Sequence, residues 1–137
     1  MGVEFNKDSA NEDRWRVYDP EEDVVIHACH EGFSSKHNAL TNLFINHTMM
    51  SIWVRATAQG KGYSEEVTFP IFGTGYVTFE DDKKGKVRWQ LKSTNGEIVG
   101  ASHKGFETKS LAADNLIMTY TMLAMYIAQH ALDKVGK

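Results

Sequence analysis

The stretch Val77–Ala131 reads VTFEDDKKGKVRWQLKSTNGEIVGASHKGFETKSLAADNLIMTYTMLAMYIAQHA, and the chain has already written it once. The earlier copy, Val3–Ala56, reads VEFNKDSANEDRWRVYDPEEDVVIHACHEGFSSKHNALTNLFINHTMMSIWVRA. Val3, Phe5, Arg14 and Trp15 recur 74 residues on as Val77, Phe79, Arg88 and Trp89. After the next turn the offset is 73, so that Ala28, His30, Gly32, Phe33, Lys36, Ala39 and Asn42 meet Ala101, His103, Gly105, Phe106, Lys109, Ala112 and Asn115. The missing residue falls where Thr94-Asn95-Gly96-Glu97 replaces Asp19-Pro20-Glu21-Glu22-Asp23, and an exposed turn is where a duplicated unit tolerates a length change.

Each copy opens with three short strands. Val3 and Phe5 alternate with Glu4 and Asn6, and Trp15 and Val17 with Arg14 and Arg16, the period of a half-buried strand. Asn95-Gly96 signals a tight hairpin of type I′, in which both central residues take positive φ. The third strands are read as Val24–His30 and Ile98–His103. Gly32 and Gly105 then break the chain, and Ser34-Ser35 or Glu107-Thr108 offer capping oxygens to helices over about Ser35–Ala56 and Thr108–Ala131. The fold class expected is α+β: tandem β-β-β-α repeats forming one mainly antiparallel sheet, with two long helices packed on one face. The 137 residues form a single domain, with repeat one at 3–57, a linker at 58–76 holding a strand near 66–71, and repeat two at 77–134.

From His37 to Val54, and again from Asn115 to Leu132, no charged residue occurs. Eighteen such residues approach the length of a membrane span, but Asn38, Asn42, Asn46 and His47, and then Asn115, Thr119, Gln129 and His130, make spanning a poor reading. Leu43, His47, Met50 and Val54 share one side of the first helix, and Leu116, Tyr120, Leu123 and Ile127 one side of the second. Ile45, Met49, Ile52 and Ala56 lie roughly opposite, and map to Met118, Met122, Met125 and Gln129. A helix that covers a sheet and faces water needs one apolar stripe; two stripes imply burial from both directions.

The paired motifs resemble those of the YegP-like family of bacterial proteins of unknown function. They are Arg88-Trp89-Gln90-Leu91-Lys92, Asn95-Gly96-Glu97-Ile98 and Gly105-Phe106-Glu107-Thr108-Lys109, with Arg14-Trp15-Arg16-Val17-Tyr18 and Gly32-Phe33-Ser34-Ser35-Lys36 in the first copy. The resemblance covers roughly 3–46 and 77–118. It implies tandem units sharing one continuous sheet, with the strand after each helix exchanged between units. It brings no activity, catalytic residue or cofactor. The chain departs from the pattern after the second helix, where no strand-like segment follows.

Functional classes can be weighed on the residues. A net charge of −3, with eight acidic residues against three basic ones between Glu4 and Asp23, disfavours a phosphate-backbone binder. Trp15 and Trp89 beside Arg14, Arg16 and Arg88 could stack single-stranded bases, but alternation sends Trp and Arg to opposite faces. Lys36 and Lys109 at the helix starts are possible anion-binding groups, although caps alone explain those residue types. His27, Cys29 and His30 form the most metal-like cluster, yet fall short of a zinc ligand set, and no metal site or cofactor is assigned. No nucleophile, base and orienting group stand out, so no catalytic residue is assigned and the protein is read as a non-enzyme. A single cysteine and no export-type leader fit a cytoplasmic location. The leading expectation is a non-catalytic binding or regulatory protein. It would use Ile45, Met49, Ile52, Met118, Met122 and Met125 to contact a protein partner or form a homodimer, with an inhibitor of a larger protein within that class. Alternatives are a nucleic-acid or anion-binding module and a small metal-dependent enzyme.

Overall fold

The computed structural model describes residues 1–60, 68–71 and 73–136. Its order is β1 (Gly2–Lys7), β2 (Asp13–Asp19), β3 (Val24–Ala28), α1 (Lys36–Ala58), β4 (Thr68–Ile71), β5 (Gly75–Asp81), β6 (Val87–Lys92), β7 (Ile98–Ala101) and α2 (Lys109–Val135). The class is α+β, and all strand pairing is antiparallel. The strand expected near 66–71 is β4; its first two positions lie outside the described residues. Pro70 sits on an edge strand, where a missing donor is tolerated.

Equivalent residues pair in both halves: Phe5 faces Trp15, and Phe79 faces Trp89. The turns joining these strands also match. Asp8 N–H bonds Glu12 O and Asn11 N–H bonds Asp8 O; Asp82 N–H bonds Lys86 O and Gly85 N–H bonds Asp82 O. Asn11 and Gly85 take the left-handed conformation, with φ of 62° and 77°. The hairpin at Asn95-Gly96 has the same form and corrects the type I′ reading. Positive φ falls on Gly96 alone, while Ser93 pairs with Glu97 around a three-residue loop. Within the loop Asn95 Oδ1 accepts the Glu97 N–H at 3.1 Å.

The single continuous sheet is also corrected. Two sheets form, β1-β2-β3 and β4-β5-β6-β7. The reason lies in a bulge repeated in both third strands. Register shifts between Val17 and Tyr18 and between Leu91 and Lys92, so that Ile26 and Val99 have no partner opposite. A bulge re-aims the backbone at the extra residue, and here each freed carbonyl is taken by a helix of the other repeat. Asn42 Nδ2 donates to Val99 O at 3.3 Å, and Asn115 Nδ2 donates to Ile26 O at 3.1 Å. Each asparagine also accepts the indole N–H of its own repeat, Trp15 at 3.0 Å and Trp89 at 2.9 Å. The two halves are thus joined through side chains where a β-ladder was expected.

The helices start where caps allow. Ser35 Oγ accepts from Asn38 N–H, and Thr108 Oγ1 from Leu111 N–H. Both run further than expected, to Ala58 and Val135. Each packs across both sheets: α1 on β2, β4 and β7, and α2 on β6 and β1 to β3. They also pack on each other, with His47 stacked on its own counterpart Tyr120 at a ring-centroid distance of 5.3 Å. Beneath them lie fully buried Trp15, Val17, Leu43, Met50, Trp53, Val77, Trp89, Leu91, Leu116 and Leu123. His27 is buried between Trp15 and Trp89, at 5.3 and 4.9 Å, and neither ring nitrogen has a hydrogen-bond partner. Burial, with a smaller contribution from His103, pushes its pKa down to about 3, so the ring is neutral.

Two measurements follow from this core. Removing Asn115 strands the Trp89 indole N–H and the Ile26 carbonyl, whereas at Asn42 the neighbouring Asn46 Nδ2 already reaches Val99 O. Urea unfolding should therefore give Asn115→Ala a loss of about 2–4 kcal/mol and Asn42→Ala a smaller one; equal losses would refute the asymmetry. For His27, a folded pKa below the unfolded value makes stability present above about pH 6.5 and lost as pH falls toward 3. The slope reaches about 1.4 kcal/mol per pH unit. His27→Leu should flatten the stability curve between those limits relative to wild type, and parallel curves would show that the ring is not held neutral.

Candidate functional site

The His27, Cys29 and His30 cluster is dispersed by the strand. His27 and Cys29 point into the protein while His30 is exposed. Cys29 Sγ accepts the Trp15 N–H at 3.4 Å and donates to Glu31 O at 3.0 Å. In the second repeat Ser102 Oγ donates to Lys104 O at 2.8 Å, the same bond from a different side chain. Burial pushes the Cys29 thiol up, away from the reactive thiolate. Among the described residues no three His, Cys, Asp or Glu side chains are grouped to hold a metal. The third-strand ends do approach each other, forming a polar cleft of about 300 Å³ lined by Cys29, His30, Arg88, Gln90, Ser102 and His103. Sequence reasoning missed this cleft because it depends on how the two edges face.

The Trp and Arg residues divide as alternation predicts: Trp15 and Trp89 are fully buried, Arg14 and Arg88 partly exposed. The arginines are occupied. Arg14 Nε bonds Asp8 at 2.7 Å and Arg88 Nε bonds Asp82 at 3.0 Å, and each guanidinium also reaches the carbonyl of Cys29 or Ser102. These contacts hold both aspartates below the usual carboxylate range. The same aspartates explain the recurring glycines. A Cβ on Gly32 would lie 2.6 Å from Asp8 Oδ2, and one on Gly105 2.7 Å from Asp82 Oδ2. Close approach, rather than an unusual φ, is what these positions require. At the helix starts the Lys36 ammonium sits 5.2 Å over the Phe5 ring. Phe33 and Phe106 close each unit by pairing with Asp13 and Val87.

The helix residues expected at an interface separate into three groups. Met49 is 2% exposed and belongs to the core, and Ile52 and Met122 pack against it. Ile45, Met118 and Met125 are exposed. They join residues that the sequence reading did not single out. On α2, Leu111, Met118, Met125 and Leu132 recur every seven residues and are all between 43% and 64% exposed. At 1.5 Å per residue the row is about 30 Å long, and it drifts only about 20° per seven residues. The spacing was present in the sequence, but burial of the intervening Leu116 and Leu123 was needed to isolate the outer row. Two apolar grooves border the outer faces. One of about 450 Å³ is lined by Phe44, Ile45, Met49 and Val99, and one of about 250 Å³ by Ile26, Phe106, Leu111 and Met118. By length and composition α2 is also the one helix among the described residues able to cross a membrane, although 28% of its apolar window is buried within the protein.

Residues 82–117 match the model of a domain of unknown function, DUF1508. No curated protein matches the sequence. Among solved structures, the solution NMR structure of YegP from E. coli, described as a protein of unknown function, is similar with a TM-score of 0.60 at 16% identity. The match covers 89% of this chain and 84% of that one. A UPF0339 protein from Shewanella oneidensis gives a TM-score of 0.58 at 16% identity, covering 89% of this chain and 83% of that one. At that identity the likeness is one of fold. The chain therefore combines a DUF1508 match in its second repeat with the fold of YegP, which is the YegP-like resemblance carried by its paired Trp, Gly-Phe and Asn-Gly motifs.

Proposed function

We propose that this chain is a non-catalytic, cytoplasmic binding or regulatory protein that acts through protein–protein contact, with the outer row of α2 as its docking surface. The observation that carries the reading is the exposure of Leu111, Met118, Met125 and Leu132 at seven-residue spacing. A strict seven-residue apolar repeat keeps facing the same partner helix when two helices wrap around each other. Methionines at the centre of the row suit a surface that repacks against its partner. The occupant that fits is therefore an amphipathic helix of a partner protein, and an inhibitor that covers such a helix on a larger protein falls within this reading. Against a nucleic-acid surface stand the burial of both tryptophans and the pairing of Arg14 and Arg88 with Asp8 and Asp82. Against a metal enzyme stand the dispersal of His27, Cys29 and His30 and the Ser102 counterpart of Cys29.

The double substitution Met118→Glu/Met125→Glu tests this. Because both side chains are exposed, stability should change by no more than about 0.5 kcal/mol per site. Binding partners recovered from native cells, and rebinding as purified proteins, should be lost with the variant. Identical partners for variant and wild type would sink the reading. Co-flotation of wild type but not variant with lipid vesicles would transfer the face to a membrane surface and sink it equally.

A further inference from the structure

Among the described residues the second sheet has a strand that the first lacks. β4 pairs outside β5, with Thr68 opposite Thr78, Phe69 opposite Val77, Pro70 opposite Tyr76 and Ile71 opposite Gly75. Moved back by the repeat offset of 74, those slots face Glu4, Val3, Gly2 and Met1 on the outer edge of β1, where no described strand pairs. The consequence is visible in burial. Trp53 and Phe79 pack with ring centroids 5.8 Å apart, and their counterparts Tyr126 and Phe5 pack at 5.7 Å. Yet Trp53, Phe79 and Val77 are buried, at 0%, 4% and 0% exposure, while Tyr126, Phe5 and Val3 are all partly exposed. The same aromatic contact is roofed in one half and open in the other.

We propose that the outer edge of β1 is occupied by β1 of a second copy of this chain, antiparallel and centred on Val3, so that two three-stranded sheets join into one of six. The fold's own second half specifies the occupant as an extended strand carrying two inward apolar side chains two residues apart, the roles of Phe69 and Ile71. β1 supplies that pattern itself: in this register Val3 of the second copy takes the Phe69 slot, opposite Val3. Its Phe5 takes the Ile71 slot, opposite Met1. Alternation allows only registers that keep inward residues opposite inward ones. Centring on Glu4 would place the two glutamates face to face, and like charges directly opposite are unfavourable; centring on Phe5 would set the Lys7 charge against the apolar Val3. Centring on Val3 sets Glu4 against Gly2. Charges that would guard an edge strand are already engaged within the sheet, Glu4 with Arg16 at 2.9 Å and Lys7 with Asp13 at 3.0 Å. Such a contact is isologous, each copy giving and receiving the same strand. It is independent of the α2 row.

The test uses the full chain. A short strand pair lies at the small end of stable interfaces, so mass by light scattering should rise from one to two copies with concentration, with amide exchange in β1 slowing over the same range. Val3→Cys places two thiols opposite each other across the twofold, and mild oxidation should give a covalent dimer. Asn6→Cys, beyond the paired stretch, should not, and native Cys29 is buried and should not react. The covalent dimer should still form when Met118→Glu/Met125→Glu is added. A monomer at every concentration would overturn the proposal. So would a dimer without β1 protection, Val3→Cys cross-linking no faster than Asn6→Cys, or a dimer abolished by the α2 variant alone. The last result would assign self-association to the α2 row and leave the protein-contact reading standing.

Discussion

Two asparagines hold the halves of this protein together. Asn42 and Asn115 each accept an indole N–H from the tryptophan of their own repeat and donate to the bulge carbonyl of the other. Every partner in this arrangement is otherwise costly. A buried indole N–H needs an acceptor, and a carbonyl displaced from its ladder by a bulge needs a donor. One amide meets both needs, and it does so only when the helix of one repeat lies over the third strand of the other. The bond therefore selects the crossed arrangement of helices over one in which each repeat folds back on itself.

Much else follows from that crossing. Helices that span both sheets must be long, and they pack on each other with His47 stacked on Tyr120. His27 fills the space between the two tryptophans, while its counterpart is Gly100, where a Cβ would lie 1.9 Å from Asn46 Oδ1. The position equivalent to Asn46 is Thr119. The small strand residue of repeat two thus lies against the larger helix residue of repeat one, a fit that a close-packed interior demands. The unpartnered ring of His27 and the unpartnered Oδ1 of Asn46 are costs of this packing, since a buried polar group without a partner is destabilising.

Local chemistry was the most legible part of the sequence. Period-two alternation placed Trp15 and Trp89 inside, Ser35 and Thr108 were read among the caps, and the two-sided apolar pattern identified helices with more than one contact. What the residues could not reveal was the use of pairs distant in the chain. Asn42 and Asn115 were visible as recurrences, but a bulge at Ile26 and Val99 is a matter of register, and no periodicity marks it. Without it the two repeats read as sharing one continuous sheet. Met49, expected on the contact face, is buried for a related reason: helical spacing ranks positions around an axis, but which arc is covered depends on how that axis lies on the sheets. Met49 is buried and Met118 exposed.

An internal repeat also acts as a control on functional assignment. A side chain that differs between copies while performing the same bond, as Cys29 and Ser102 do, is retained for that bond and not for the chemistry of its atom. By the same logic Asp8 and Asp82, with their arginines and the glycines beneath them, form a folding unit present twice. The copies differ without compensation on their outer surfaces. Leu111, Met118, Met125 and Leu132 form an exposed row on α2, whereas the corresponding positions on α1 and its C-cap are Asn38, Ile45, Ile52 and Gln59, polar at both ends and half-buried at Ile52. Among the described residues the outer strand beside β5 has no equivalent beside β1. Neither difference improves packing within the chain, since each leaves apolar surface in contact with water. Surface of that kind is ordinarily kept where a second molecule covers it, and the two differences lie where the symmetry of the fold ends.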